Sequence, residues 1–514
     1  MPPRRLRAAS RVLQLGAVAV VLAASTFTLF DLDRFLVPKE LVLHVTALLA
    51  GLFALRRTAA PTRADRHLLA FLFLSALSAL FATNHWLGLR ALALSASSLV
   101  VFFVARAIRD AGLTRPLLNA LAVAIVVAAA SALLQAYGLR LDLFASTRAP
   151  GGTLGNRNFV AHAAAFGFPL LLLALLRARR LVLPSIGIAV VVAALVLTRS
   201  RAAWLAFGVM ALVFVVAVVL APALRRDAKT WRRLAAVVVC AAAAVAAALL
   251  VPNTLRWRSD NPYLDSVKDV ANYREGSGHG RLIQYERSLL LALHHPLLGT
   301  GPGNWPATYA ERAEHDDPSL DPSEPGITSN PWPSSDWVAF IAERGLACAV
   351  ILAIAFLSMT VAAWRRLRTT SDAEEALLAV TMLGTLAAAL VAGAFDAVLL
   401  VALPSLLVWT TLGATSAPDG AARPLPRFAT LALVALSAIG AARSTAQLVA
   451  IDSFSADSSR AALERAATID PGNYRLQLRL ARSGKKQQRC EHAAAAHALF
   501  PHAQGAKEAM QGCR

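Results

Sequence analysis

Long apolar segments, separated by short polar connections, follow one another along most of the chain. A helix needs about 20 apolar residues to cross a hydrocarbon core ~30 Å thick, and in lipid its backbone groups must pair with one another. The apolar runs are continuous rather than alternating as in a transmembrane barrel. The pattern therefore predicts an all-α, polytopic transmembrane helical bundle of about 12–13 spans. The predicted spans cover residues 13–30, 37–55, 67–83, 86–105, 117–137, 159–176, 181–198, 202–223, 234–251, 336–362, 376–394, 398–413 and 427–445.

Composition agrees with this prediction and removes one alternative. Of the 514 residues, 57% are hydrophobic and only 16% are charged, whereas a soluble domain carries about 25% charged residues. The net charge of +20 is compatible with nucleic-acid binding, but the arginines lie between apolar runs, as topology-determining charges do. We therefore expect no nucleic-acid partner.

The basic residues predict how the spans are oriented. Every second connection is rich in arginine, which is typical of the cytoplasmic side of a membrane. The N-terminus is then cytoplasmic, its first span is uncleaved, and the C-terminal tail is periplasmic. Four regions follow in chain order: residues 1–251 with spans one to nine, 252–335 as a large periplasmic loop, 336–445 with spans ten to thirteen, and 446–514 as a helical tail.

The tail has the composition of a soluble segment. A helix, Pro-Gly turn and helix are predicted around residues 461–482, and a second similar pair follows, so the tail resembles a short tetratricopeptide-like array. Cys490 and Cys513 bracket the second pair. In an oxidising periplasm they either form a disulfide or remain two free thiols.

Four short stretches near the predicted outer face carry candidate chemistry. Each contains polar or glycine residues suited to tight turns, exposed amides or anion binding. The second stretch includes a short outer turn with Arg199 and Arg201. Because positive charge is disfavoured on that side of the membrane, we expect these arginines to have a function. The stretches are GGTLGNRNFVA at 151–161, LTRSRAAW at 197–204, GHGRLIQYERSLLLALHHPLLGTGPGNW at 278–305, which includes a predicted amphipathic helix, and SNPWPSSDWVAFIAERGL at 329–346.

In this order and topology, the four stretches resemble the O-antigen ligase and polymerase superfamily of bacterial membrane glycosyltransferases. The usual forms look like GTFGNPNFLA, TxSRGA, GRxxIW with HPxxGxGxGN, and HNDYLQxxAExG. The resemblance implies a metal-independent and cofactor-independent transferase in the inner membrane. Its donor would be an undecaprenyl-diphosphate-linked glycan, and its acceptor a lipid A core, another glycan or a protein, so ligase, polymerase and protein O-oligosaccharyltransferase all remain open.

The resemblance also assigns candidate site residues. Arg201 and Arg281 match arginines that hold the donor diphosphate, and Arg199 is a further candidate beside them. Guanidinium groups suit this role because they stay charged and bind phosphate oxygens in a bidentate fork. The predicted substrate-binding amides, which lie in the turns of the first and third stretches, belong to Asn156, Asn158 and Asn304.

The fourth stretch departs from the family form at the position of the general base. Ser334 stands where the family usually has histidine, and a serine is no base at neutral pH. Asp336 is retained and is the predicted proton acceptor, although it also suits a helix N-cap. Other candidates for the missing base are His279, His294, His295 and His315.

Two alternatives to a transferase stay open. A small-solute transporter is disfavoured because few charges lie deep in the predicted spans; Asp396 falls at a short outer turn and Glu343 about two turns into the tenth span. The other alternative is a non-catalytic scaffold that has lost the general base and uses its tail to bind partners. In either case membrane lipids surround the bundle.

Overall fold

A computed structural model describes residues 4–27, 33–55, 62–145, 147–257, 259–268, 276–314, 316–417, 425–457 and 459–513. Within these ranges all regular structure is helical, and one isolated bridge joins Leu320 and Thr328. The predicted all-α, polytopic fold is confirmed. His315, proposed above as a candidate base, lies outside the described residues.

Nine helices precede the large loop, and five form the second half of the bundle. The first nine are α1 (Arg4–Leu22), α2 (Asp33–Ala54), α3 (Arg63–Ala79), α4 (His85–Asp110), α5 (Thr114–Ala136), α6 (Arg157–Arg177), α7 (Val182–Thr198), α8 (Arg201–Leu220) and α9 (Ala228–Leu250). The loop carries α10 (Pro262–Lys268), α11 (Gly276–His294) and α12 (Trp305–Thr308). The second half comprises α13 (Asp336–Arg344), α14 (Leu346–Thr369), α15 (Ala373–Gly393), α16 (Ala402–Thr415) and α17 (Arg427–Ala456).

Burial separates central helices from those that face lipid. In the described part of the chain, nine helices are long and apolar enough to cross a membrane: α2, α4, α5, α6, α8, α9, α14, α15 and α17. Helices α4 and α6 are buried on nearly every side, whereas α8, α9, α14 and α17 leave most of their apolar surface exposed. Such apolar exposure suits a surrounding of acyl chains, because lipid tails are as apolar as leucine.

Several predicted boundaries are wrong. The first helix ends at Leu22 rather than near residue 30, and the last one continues to Ala456, well past residue 445. The predicted tenth span is two helices that part at Gly345. Gly345 has φ +81°, and a Cβ there would overlap the Leu297 carbonyl, so the break depends on a glycine at this position.

The arginine-rich connections meet at one end of the bundle, as the alternation requires. Arg177, at the end of α6, donates to Glu374 at 2.8 Å. Arg109, near the end of α4, donates to Glu375 at 2.6 Å. Arg366 donates to the Thr415 carbonyl at 2.7 Å. Which side of the membrane this end faces stays a prediction.

The large loop and the tail pack together at the opposite end. The tail contains α18 (Arg460–Ile469), α19 (Tyr474–Ala481), α20 (Lys486–Leu499) and α21 (Gln504–Gln511). Cys490 and Cys513 form a disulfide that joins α20 to the segment after α21. The backbone N–H of Gln504 donates to the Pro325 carbonyl at 2.9 Å, which fixes the tail to the loop. The tetratricopeptide likeness of these helices remains a prediction.

Candidate functional site

A polar cavity of about 440 Å³ opens at the end of the bundle that carries the large loop. Four segments that are distant in sequence form its wall: the turn before α6, the first turns of α11, the chain before α13, and the turn between α15 and α16. Three of the four stretches recognised in the sequence therefore meet here. The polar side chains of the lining belong to Arg148, Asn156, Asn158, Ser277, Arg281, Gln284, Ser319, Asn330, Ser334 and Asp396.

Arginines occupy one rim of this cavity. Arg281 lies in the second turn of α11 and lines the cavity directly. Arg201, the first residue of α8, borders the same rim because its Nη2 donates to the Ser277 hydroxyl at 3.0 Å. The second stretch thus contacts the first turn of α11, and Arg281 of the third stretch lies one turn further along the same helix.

Arg199 is turned towards a different partner. It ends α7 in the left-handed conformation with φ 53°. Its Nε donates to the Ser266 hydroxyl at 2.9 Å, and its guanidinium carbon lies 4.6 Å from the ring centroid of Trp257. Arg199 is absent from the cavity lining, so this geometry argues against the predicted role beside Arg201 in diphosphate binding.

The three predicted substrate-binding amides have different placements. Asn156 and Asn158 line the cavity, and the Asn156 side chain caps α6 by accepting from the Asn158 N–H at 3.0 Å. Asn304 does not reach the cavity. Its side chain is fully buried and is bonded to the backbone of Asn84, with 2.6 Å to the N–H and 3.1 Å to the carbonyl. Asn304 is therefore corrected to a structural residue.

Asp336 holds backbone rather than facing the cavity. Its carboxylate is fully buried and accepts from the Val398 N–H at 3.0 Å and from the Leu399 N–H at 2.9 Å. The N-cap of α13 is Ser335, which donates its hydroxyl to the Gly393 carbonyl at 3.1 Å. These contacts correct the predicted role of Asp336 as proton acceptor, because a buried carboxylate that binds two N–H groups cannot reach an acceptor hydroxyl in the cavity.

The carboxylate that does line the cavity is Asp396, three residues after the end of α15. The Asp336 carboxylate, which belongs to α13, binds the backbone two and three residues after Asp396, so both carboxylates contact the turn between α15 and α16. Asn158 Nδ2 lies 3.5 Å from Asp396 Oδ2. The sequence placed Asp396 at an outer turn but did not indicate that α6 and α11 converge on it.

His162, which was not among the site residues predicted from the sequence, lies close to Asp396. It lies one turn after Asn158 on α6, so both side chains point the same way, and its Nδ1 is 3.8 Å from Asp396 Oδ2. His162 is 1% exposed, and neither ring nitrogen has a hydrogen-bond partner among the described residues. A histidine inside an apolar span is itself a signal of function that could have found it.

Ser334 lies at the cavity wall, and its backbone is held from two sides. Its N–H donates to Gln284 Oε1 at 2.6 Å, and its carbonyl lies 2.7 Å from the Tyr285 hydroxyl. The same hydroxyl is 2.8 Å from the Ala394 carbonyl, so Tyr285 ties the Ser334 segment to the turn that carries Asp396. The described histidines of the third stretch, His279, His294 and His295, are exposed and do not line the cavity.

Glu343 joins the third stretch to the fourth. Its carboxylate is 2% exposed and accepts from the Gly303 N–H at 2.8 Å and the Trp305 N–H at 3.2 Å. Gly301 and Gly303 both have positive φ, which only glycine adopts easily. The glycine turn therefore folds onto the carboxylate and fixes the end of α11 against α13.

The interior of the large loop is also well packed. Trp305 is fully buried and donates to the Ser288 hydroxyl at 2.8 Å. The Tyr309 hydroxyl donates to Asp317 at 2.8 Å, and burial raises the pKa of Tyr309 above its usual value. No group of three or more histidine, cysteine or acidic side chains is placed to hold a metal ion within the described ranges; metal independence stays a prediction.

The fold and the cavity define a class of protein, a polytopic helical membrane protein with a polar, arginine-lined cavity at one end of its bundle. Residues 186–353 match the family model described as O-antigen ligase (Wzy_C). This match covers about a third of the chain and supports its resemblance to the O-antigen ligase superfamily, with a glycan-handling function in the membrane. No curated protein matches the chain. The matched range contains Arg201, Arg281 and Ser334, whereas His162 and Asp396 lie outside it.

Proposed function

We propose that this protein transfers a glycan from an undecaprenyl-diphosphate donor to a hydroxyl acceptor at the loop-bearing face of the bacterial inner membrane. The observation that carries the proposal is one cavity with arginine on one rim and the Asp396 carboxylate in its wall. A leaving group with concentrated negative charge and a hydroxyl that must lose a proton need these two kinds of side chain in one place.

The proposed reaction assigns one role to each side of the cavity. The acceptor oxygen forms a bond to the anomeric carbon of the donor sugar, and the bond from that carbon to the diphosphate oxygen breaks. The diphosphate leaves with the electron pair, and Arg281, with Arg201 beside it, stabilises the added charge. The acceptor proton passes to Asp396, which takes the place of the family's histidine at the Ser334 position.

His162 is proposed as a positioning residue behind Asp396. At 3.8 Å from the carboxylate, its imidazole restricts where the Asp396 side chain can turn and adds positive charge whenever it is protonated. Asp336 acts one step further away, because it fixes the N–H groups of Val398 and Leu399 in the same turn. Neither residue needs to touch substrate in this scheme.

The compartment is part of the same proposal. We infer that the loop, the tail and the cavity are periplasmic, because the arginine-rich connections gather at the opposite end. The Cys490–Cys513 disulfide supports this orientation, since disulfides persist in the bacterial periplasm and are rare in the cytosol.

A transporter remains the candidate of another class, and α2 gives it one specific observation. Lys39, Glu40 and His44 are ionisable residues of this helix whose side chains are buried inside the bundle. Each has a protein partner, however: Lys39 donates to the Thr153 carbonyl at 2.7 Å, Glu40 accepts from Arg90, and His44 contacts a serine. Ionisable side chains that already have protein partners favour a structural role. Solute uptake into proteoliposomes is the measurement that distinguishes the two functions.

Complementation of a deletion strain tests the transferase. The strain is transformed with the wild-type gene, Arg281→Ala, Asp396→Asn, and two matched controls, Arg226→Ala at the other end of the bundle and Asp316→Asn on the loop surface. Lipopolysaccharide and glycoprotein ladders are compared on gels, with the amount of each variant in the membrane fraction measured by immunoblot. We expect both site variants to lose the ladder and both controls to restore it.

The pattern of loss also identifies the subtype. Loss of long-chain lipopolysaccharide indicates a ligase, accumulation of a single-repeat product indicates a polymerase, and loss of modified proteins indicates a protein glycosylating enzyme. A full ladder from Arg281→Ala at normal protein level would refute the role of Arg281 in stabilising the diphosphate leaving group. A full ladder from Asp396→Asn would favour a scaffold without base catalysis.

A further inference from the structure

A second cavity, of about 590 Å³, lies beside the first and shares Arg148 with it. We call it the arginine cavity. It is formed by the end of α5, the chain between α5 and α6, the first residue of α6, and the segment that follows α9. Nothing in the transfer scheme above uses it.

The charge of its lining is entirely positive. Arg140, Arg148, Arg157 and Arg256 all line it, and no carboxylate does so among the described residues. A concave surface lined by one sign of charge concentrates ions of the opposite sign. Guanidinium groups bind phosphate oxygens through paired N–H donors, so a phosphate-bearing anion is the chemistry that this lining fits.

The backbone of the cavity is held in place before any ligand binds. Gln135 at the end of α5 accepts from the N–H groups of Gly151 and Gly152, both at 2.8 Å, and donates to the Ala145 carbonyl at 2.6 Å. The Thr254 N–H donates to the Ala136 carbonyl at 2.8 Å. These bonds join the α5–α6 connection and the segment after α9 to the same helix end.

A planar aromatic ring fixes part of the positive charge. The Arg157 guanidinium lies 5.0 Å from the ring centroid of Trp257, and Arg199 lies 4.6 Å from it. Cation–π contacts of this type orient a guanidinium without neutralising it. The lining therefore keeps its positive charge available to an incoming anion.

The surroundings of the arginine cavity favour a lipid over a soluble anion. Two apolar side chains of its lining are exposed, Leu139 at 41% and Leu141 at 48%. The cavity also lies at the ends of membrane-spanning helices, where lipid headgroups are found. A molecule with a phosphate headgroup and acyl chains satisfies both the arginines and the apolar edge.

We infer that the arginine cavity binds the phosphate-bearing headgroup of a membrane lipid. The binding itself does not depend on the transfer reaction, so it is tested separately. Arg140 and Arg256 are the residues to change, because both are exposed and neither lines the candidate transfer cavity.

The test is a binding titration on the purified full-length protein in zwitterionic detergent. Short-chain phosphatidic acid, short-chain phosphatidylcholine and inorganic phosphate are each titrated against the wild type, the Arg140→Gln/Arg256→Gln variant, and a matched control, Arg225→Gln/Arg226→Gln, which loses the same charge at the other end of the bundle. Size-exclusion profiles establish that each variant is folded; if the double variant aggregates, the single Arg256→Gln variant replaces it.

We expect phosphatidic acid to bind the wild type and the control equally, and to bind Arg140→Gln/Arg256→Gln about tenfold more weakly, which corresponds to about 1.4 kcal/mol. Phosphatidylcholine and inorganic phosphate should bind more weakly than phosphatidic acid. Equal phosphatidic acid binding by both double variants would overturn the site. Inorganic phosphate that binds as tightly as the lipid, with the same dependence on the two arginines, would overturn the lipid and indicate a soluble anion.

Discussion

Asp336 and Asp396, whose carboxylates both contact the turn between α15 and α16, should respond to substitution in opposite ways. Asp336→Ala leaves the N–H groups of Val398 and Leu399 buried without an acceptor. Each unsatisfied buried donor costs about 1–3 kcal/mol, so the expected loss of folding stability is roughly 2–6 kcal/mol. Asp396→Ala removes a partly exposed carboxylate bonded to the adjacent Ala397 N–H, and the expected loss is about 1 kcal/mol.

Activity should show the reverse order. General base catalysis contributes roughly 10²–10⁴-fold, so Asp396→Ala should lose most transfer while it stays folded. Thermal unfolding in detergent, followed by tryptophan emission, reports stability, and transfer is expressed per amount of folded protein. The reasoning is refuted if Asp336→Ala melts like the wild type and still loses transfer, because Asp336 would then be the proton acceptor.

Three further outcomes follow from the structure. Replacing both Cys490 and Cys513 by serine removes the disulfide between two positions 23 residues apart and should destabilise the tail by about 3 kcal/mol. Unchanged resistance of the tail to protease would contradict this. Gly345→Ala should cost at least about 1–3 kcal/mol from its left-handed backbone alone, visible as a lower yield of folded protein on size exclusion, and a normal yield would count against the tight turn. Arg281→Lys should keep more activity than Arg281→Ala but remain below wild type, since an ammonium group offers no bidentate fork; equal activities of the two would argue against phosphate contact.

The helical membrane fold could be predicted because it depends on local properties of the sequence. Continuous apolar runs identify the spans, and the spacing of arginines correctly places Arg109, Arg177 and Arg366 at one end. The helix boundaries were harder to predict from the sequence. The break at Gly345, for example, depends on the close approach of the Leu297 carbonyl, which lies nearly fifty positions away in the chain.

The candidate site could be predicted only in part. Arg201 and Arg281 could be predicted as candidates because their stretches are recognisable, and their role in binding the diphosphate stays a prediction. The sequence favours Asp336 over Asp396 because Asp336 belongs to a recognisable stretch, whereas in the fold its carboxylate accepts from two backbone N–H groups. The approach of His162 to Asp396 joins residues more than 200 positions apart, and no local pattern carries that information.

Transfer reconstituted from purified components tests whether Arg281 acts on the diphosphate leaving group. Purified wild-type protein, Arg281→Ala and Arg226→Ala are supplied with a synthetic polyprenyl-diphosphate glycan and a hydroxyl acceptor, and both the glycosylated product and the released polyprenyl diphosphate are quantified over time. We expect the wild type and Arg226→Ala each to form the two products in equal amounts, and Arg281→Ala to react at a rate roughly 10²–10³-fold lower. Wild-type rates from Arg281→Ala, or product formed without release of polyprenyl diphosphate, would contradict this expectation.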